Sequence, residues 1–341
     1  MTAHSFVPFK NMIHYVSVFA YCISILFFLG HDRDLNAQAT SKETDSNAVN
    51  QLSESDQIAQ EYRALLELDD AALEEVDEWI RDANATSDGV NDPSLISLPA
   101  RIEQRLKPVR AAYEAFIQKH PKHVGVRLAF ASFLTDRGDE IEAAPHLVKA
   151  TELDPQNAAA WNNLGNHYGH LGPVKKAFEC YEKAIQLNPG AAVYYHNYGT
   201  TVYLFRKDAI EYFGITEPEV FDKALELYRI ALVKEPNSFD LAEDIAQTYY
   251  GIRTQEVPTR MARPDEALAA WEYALKIAPG ENERQGVYIH QARILLQIDQ
   301  VAEARMALEK VTLPVYQTLK ERVSKNLNKR TEALVPAAEI R

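Results

Sequence analysis

The sequence predicts an all-α fold, a solenoid of stacked helix–turn–helix units. Three observations carry this prediction. Pro121, Pro155 and Pro189 follow one another at intervals of 34 residues, and each closes a helical segment, because proline cannot continue a helix interior. Apolar residues recur at three- and four-residue steps along paired segments, the mark of one helical face. Small residues, Gly165 and Ala184, stand where two antiparallel helices need to approach closely. Such a hairpin cannot bury its apolar face alone and requires stacked neighbours.

The clearest unit is AAAWNNLGNHYGHLGPVKKAFECYEKAIQLNPG, residues 158–190. Trp161, Leu164, Tyr168 and Leu171 share one face of its first helix. Gly172-Pro173 breaks that helix and opens the next. Ala177, Tyr181, Ala184, Ile185 and Leu187 give the second helix an apolar stripe, and Asn188-Pro189-Gly190 ends it. The pattern Trp161-x-x-Leu164-Gly165-x-x-Tyr168, Ala177-x-x-x-Tyr181, Pro189 closely resembles the tetratricopeptide repeat (TPR), a helix–turn–helix unit of about 34 residues; Tyr181 stands where Phe is commonest. The resemblance implies a TPR α-solenoid, a right-handed superhelix of hairpins with capping helices at both ends.

Taken in order, the chain starts with Lys10 and His14 before the apolar run Tyr15–Gly30, followed by the small-x-small pattern Ala37-x-Ala39. Residues 1–39 therefore read as a secretory signal peptide cut after Ala39, or as an uncleaved N-terminal membrane anchor. Either reading places the remainder outside the cytoplasm, as an exported (periplasmic or secreted) protein. Residues 40–55 form a polar, flexible linker. Residues 56–97 hold acidic amphipathic helices and a loop, with Ile58, Tyr62, Leu65, Leu66, Ala72, Leu73, Val76 and Ile80 at helical spacing.

Residues 98–311 form the repeat array. Its first segment carries Val109, Tyr113 and Phe116, with Pro108 expected at a helix–helix corner. The 124–155 unit follows the repeat pattern but has Arg127 in place of the tryptophan. Two later intervals, Pro189 to Pro236 and Pro236 to Pro279, span 47 and 43 residues. The excess over the repeat length falls near 204–221 and 251–263, between the two helices of a hairpin. A weaker unit covers 285–311, with Asp299 replacing the turn glycine. Residues 312–341 form a C-terminal capping helix and tail. Val315, Leu319, Val323 and Leu327 fall on one of its faces, and Lys320, Arg322, Lys325, Lys329 and Arg330 on the others.

A net charge of −13 speaks against nucleic-acid binding, which needs a basic surface. The chain has two cysteines, Cys22 in the apolar run and Cys180; Cys180 reads as a small hydrophobe. No phosphate-cradling glycine loop, Gly-x-Ser-x-Gly, His-Glu-x-x-His or Cys-x-x-Cys occurs. The sequence therefore predicts no enzyme and no cofactor. His167, His170 and His196 lack the acidic partner of a tetrahedral set, so no metal site is expected.

The resemblance implies a binding function. First helices of successive TPR hairpins line a concave groove that receives a peptide or a partner helix. Some members clamp a C-terminal carboxylate with Lys and Asn on one first helix, Asn on the next and basic residues on the third. Here Asn162 stands in place of that Lys, Asn166 and Asn197 match the amides, and Asp240 and Asp244 replace the basic residues. The positive charge of a clamp is missing. The implied peptide groove consists of Asn162, Asn166, His170, His196, Asn197, Thr200, Tyr203, Glu243, Gln247 and Tyr250. It suits hydrogen bonding to a backbone and aromatic packing. The expected partner is a protein or peptide. The alternative is a structural envelope component that self-associates, or is membrane-tethered through an uncleaved N-terminus.

Overall fold

The computed structural model describes residues 53–85, 97–255, 257 and 260–334. The expected signal segment or anchor, most of the linker, most of the loop before residue 97 and the last residues of the tail lie outside them. Among the described residues there are fourteen α-helices and no strand; an isolated antiparallel bridge joins Arg253 and Met261. The fold is all-α and of the TPR-solenoid type. The chain divides into two compact units, up to Leu164 and from Gly165 onward.

The first unit contains α1 (Glu54–Ala85), α2 (Leu98–Lys119), α3 (Val124–Asp136), α4 (Glu140–Leu153) and the start of α5 (Ala158–Leu171). α1 buries Leu65, Ala72 and Val76 on one stripe. Asp69 lies on the same stripe and is buried. It is accommodated because Tyr113 Oη donates to its Oδ2 at 2.5 Å. Desolvation still pushes the Asp69 carboxyl above its ordinary range. Tyr113 is itself fully buried and stacks on Phe130 with ring centroids 5.1 Å apart. Pro108 does not mark a corner: α2 runs through it. The reason is its exposed position, where the carbonyl deprived of an N–H partner can hydrogen-bond water.

One device recurs at the repeat period. Arg127 Nη2 donates to the Pro121 carbonyl at 2.7 Å, Trp161 Nε1 to that of Pro155 at 3.0 Å, and Tyr195 Oη to that of Pro189 at 3.3 Å. Each donor sits six residues beyond its proline and ties the closing turn of one hairpin to the first helix of the next. Arg127, a departure from the repeat pattern in the sequence, does the same work as the tryptophan.

The second unit continues with α6 (Val174–Leu187), α7 (Ala192–Leu204), α8 (Arg206–Phe213), α9 (Glu217–Lys234) and α10 (Phe239–Thr248), which runs into a 3₁₀ turn, Tyr249–Gly251. Then come α11 (Pro264–Ile277), α12 (Glu281–Gln297), α13 (Val301–Glu309) and, after a 3₁₀ turn at Pro314–Tyr316, α14 (Gln317–Leu334). Phe178, Tyr181, Tyr198, Leu225, Tyr228 and Trp271 centre its core. The glycines of the first helices permit close contact: a Cβ on Gly165 would lie 2.8 Å from the Tyr181 ring, and one on Gly199 2.9 Å from the Tyr228 ring. Asp299 takes the left-handed conformation, φ 58°, that Gly138 and Gly172 adopt in the earlier turns. Cys180 is buried, which pushes its thiol up to about 12.

Both long intervals acquire structure. The first forms α8, whose Tyr212 and Phe213 rings pack 5.1 and 5.6 Å from that of Phe178. Gly214 ends α8 in the left-handed region, and a Thr216–Glu219 capping box starts α9. The second folds back through the Arg253–Met261 bridge, burying Met261. Four apolar residues differ from the sequence reading, and of these Ile80 and Leu319 lie exposed on their helices. Leu171, at the last residue of α5, is half exposed, and Val315 is exposed because it falls in the 3₁₀ turn before α14. Val323 and Leu327 are buried against α12 and α13.

Candidate functional site

The ten predicted groove residues lie on three first helices, α5, α7 and α10, and on the 3₁₀ turn after α10. Burial separates them into two classes. Asn162 and Asn197 are only 4% and 3% exposed and offer almost no surface to a partner. Asn162 Nδ2 donates to Asn163 Oδ1 at 3.2 Å. Asn166 is half-buried, and its Oδ1 accepts from Tyr181 Oη at 2.9 Å. That bond satisfies a phenol held fully inside the core, so Asn166 serves packing as well as surface. His170 is exposed.

The remaining residues gather on α7 and α10. His196 Nε2 lies 2.6 Å from Asp244 Oδ2, bridging consecutive first helices. Thr200 Oγ1 accepts from Tyr228 Oη at 3.1 Å, which anchors a half-buried threonine. Tyr203 is half-buried, with the Arg206 guanidinium 5.9 Å from its ring centre. Glu243 Oε1 accepts from Gln247 Nε2 at 2.9 Å. Asp240 and Glu243 are both held above the ordinary carboxylate range, first by desolvation and then by neighbouring carboxylates including Asp244. The α10 surface is therefore electronegative, with Glu283 of α12 adding to the same field.

At the far end, Tyr250 Oη lies 3.1 Å from His290 Nδ1 and 3.3 Å from the His290 carbonyl oxygen. The Arg293 guanidinium sits 4.9 Å from the Tyr250 ring centre. His290 stacks on buried Trp271, centroids 4.2 Å apart and planes 11° apart. Burial, with Arg293 nearby, holds the His290 imidazolium pKa down to about 4. His290 and Arg293 were not singled out in the sequence. Their signal was present, since they lie three residues apart on a helix one hairpin beyond α10, but α12 has a weak repeat pattern. Among the described residues, no group of three or more His, Cys, Asp or Glu side chains comes close enough to hold a metal ion.

A family model described as tetratricopeptide repeat matches residues 158–190. The chain carries a tetratricopeptide repeat. Part of the chain is also similar to longer curated proteins. The peroxisomal targeting signal receptor of Komagataella phaffii is 31% identical over 99 residues, 28% of this chain and 17% of that protein. Hsp70-Hsp90 organizing protein 1 of Glycine max is 33% identical over 104 residues, 30% of this chain and 16% of that protein. The chain thus spans about a sixth of these relatives' own length. Among solved structures, YrrB, described as a TPR protein with an unusual peptide-binding site, is 19% identical, with 63% of this chain and 98% of that one aligned at a TM-score of 0.46. PilF of Pseudomonas aeruginosa is also 19% identical, covering 62% of this chain and 86% of its own, at a TM-score of 0.45.

Proposed function

We propose that this chain is a non-catalytic TPR scaffold that binds a protein or peptide partner across the accessible face of α7 and α10. One observation carries the reading. The half-buried polar and aromatic side chains His196, Thr200, Tyr203, Glu243 and Tyr250 fall on these two successive first helices and the turn after them, and the His196–Asp244 contact joins the helices. Tyrosine offers contact area at low entropy cost, and amides and carboxylates pair with a peptide backbone or cationic side chain. The names of the curated relatives, a targeting signal receptor and a chaperone organizer, support a role in engaging other proteins.

The carboxylates give the partner a chemistry. Asp240, Glu243 and Asp244 favour a segment with amide donors or basic side chains and disfavour an acidic one. The variant Asp240→Asn/Glu243→Gln/Gln247→Ala removes charge and donors without opening the core. Affinity capture from the source cells with wild-type and variant protein tests the reading. The expected outcome is a partner recovered by the wild type and lost with the variant; equal recovery contradicts it. The same reading takes residues 1–39 as an export signal. N-terminal sequencing of the mature protein should then begin at Thr40, and retention of Tyr15–Gly30 would instead favour the membrane-anchored form.

A further inference from the structure

The chain is acidic overall, yet one recess is lined by the opposite charge. It lies between α12 and α14 and has a volume of about 430 Å³. Arg293, Leu296 and Gln297 line it from α12, and Val323, Asn326, Lys329 and Arg330 from α14. Spacings of three and four residues put each set on one helix face. Leu296 and Val323 are buried and form an apolar floor. Arg293, Asn326, Lys329 and Arg330 are exposed and form the rim.

The polar lining is organised to donate. Gln297 Oε1 accepts from the Met261 backbone N–H at 3.2 Å, so the amide presents its Nε2 donors. Arginine and lysine can only donate. Arg293 rests on the Tyr250 ring, which orients its planar fork. Arg330 Nη1 is 3.0 Å from Asp299 Oδ1, a single carboxylate set against three cations. Lys329 makes no ion pair among the described residues. A capping helix needs only a polar outer face, and Arg322 and Lys325 already provide charge elsewhere on α14. The cap does not explain why three cations and two amides converge on one apolar-floored recess.

We propose that this recess binds an oxyanionic group, phosphate or carboxylate, of a small molecule. Guanidinium forks and an ammonium provide charge-assisted donors to such a group, above a floor closed by buried Leu296 and Val323. Arg293 also touches Tyr250 of the α7–α10 face, whereas Lys329 lies on the recess side alone, so the Lys329 variant tests the recess apart from partner binding.

Isothermal titration of the full chain with pyrophosphate, and in a second arm with citrate, tests the proposal. Saturable binding of at least one anion is expected, weakened about tenfold or more in Arg293→Gln/Lys329→Gln. Lys329→Gln alone, which breaks no ion pair or hydrogen bond among the described residues, should weaken it as well. Arg322→Gln/Lys325→Gln removes equal charge from α14 outside the recess and should leave affinity unchanged. Binding of pyrophosphate alone assigns a phosphate ligand, and of citrate alone a carboxylate. Absence of saturable binding in both arms, or equal weakening by the two double variants, overturns the proposal.

Discussion

Arg127, Trp161 and Tyr195 show what one repeat position requires. Their chemistries differ, but each donates to the carbonyl of the proline six residues before it. The requirement at that position is a long side chain with a terminal donor, which periodicity cannot reveal; in the sequence Arg127 reads as a lost tryptophan. Replacing Trp161 with Phe keeps an aromatic ring, though a smaller one, and removes the donor. Urea unfolding should show a loss of about 1 kcal/mol, and an unchanged midpoint would mean the bond contributes nothing. His290 carries a second prediction at this scale. Its folded pKa of about 4 lies below the unfolded value of about 6.5. Between those values the unfolded chain binds more protons, so the contribution of His290 is complete above pH 6.5 and lost as pH falls towards about 4. His290→Phe should flatten the acid side of the stability profile. Parallel profiles for variant and wild type would contradict the assignment.

At the scale of elements, the sequence disclosed lengths better than shapes. The proline intervals located both insertions and their place between the helices of a hairpin. They did not disclose α8, because eight residues are too few for a periodic pattern, and its Tyr212 and Phe213 are held by Phe178 from a different hairpin. Nor did they show that the 251–263 segment folds onto the protein. Ile252 and Met261 in a largely polar stretch were the available sign. Met261 is 2% exposed, and its N–H is bonded to Gln297. Met261→Ala should destabilise the second unit by about 2–4 kcal/mol through the cavity it leaves. A change within about 0.5 kcal/mol in a thermal melt would mean that the segment is not anchored there. Pro108 teaches the reverse lesson: a helix breaker was tolerated because its face meets water.

For the whole molecule, the fold class was legible because the TPR unit repeats, and each copy supplies the same pattern for comparison. The binding surface was only partly legible. A helix turns 100° per residue, so the sequence could place Asn162 and Asn197 on first helices but not show that packing covers them. His196 and Asp244 were recognised separately; their contact across 48 residues depends on how successive hairpins stack. The proposed function rests on the α7–α10 face receiving a protein or peptide. Amide hydrogen exchange of the full chain, with and without the captured partner, tests it most directly. Partner addition should slow exchange in residues 192–204 and 239–251. Protection confined to other helices, with these two segments exchanging as in the free protein, would contradict it.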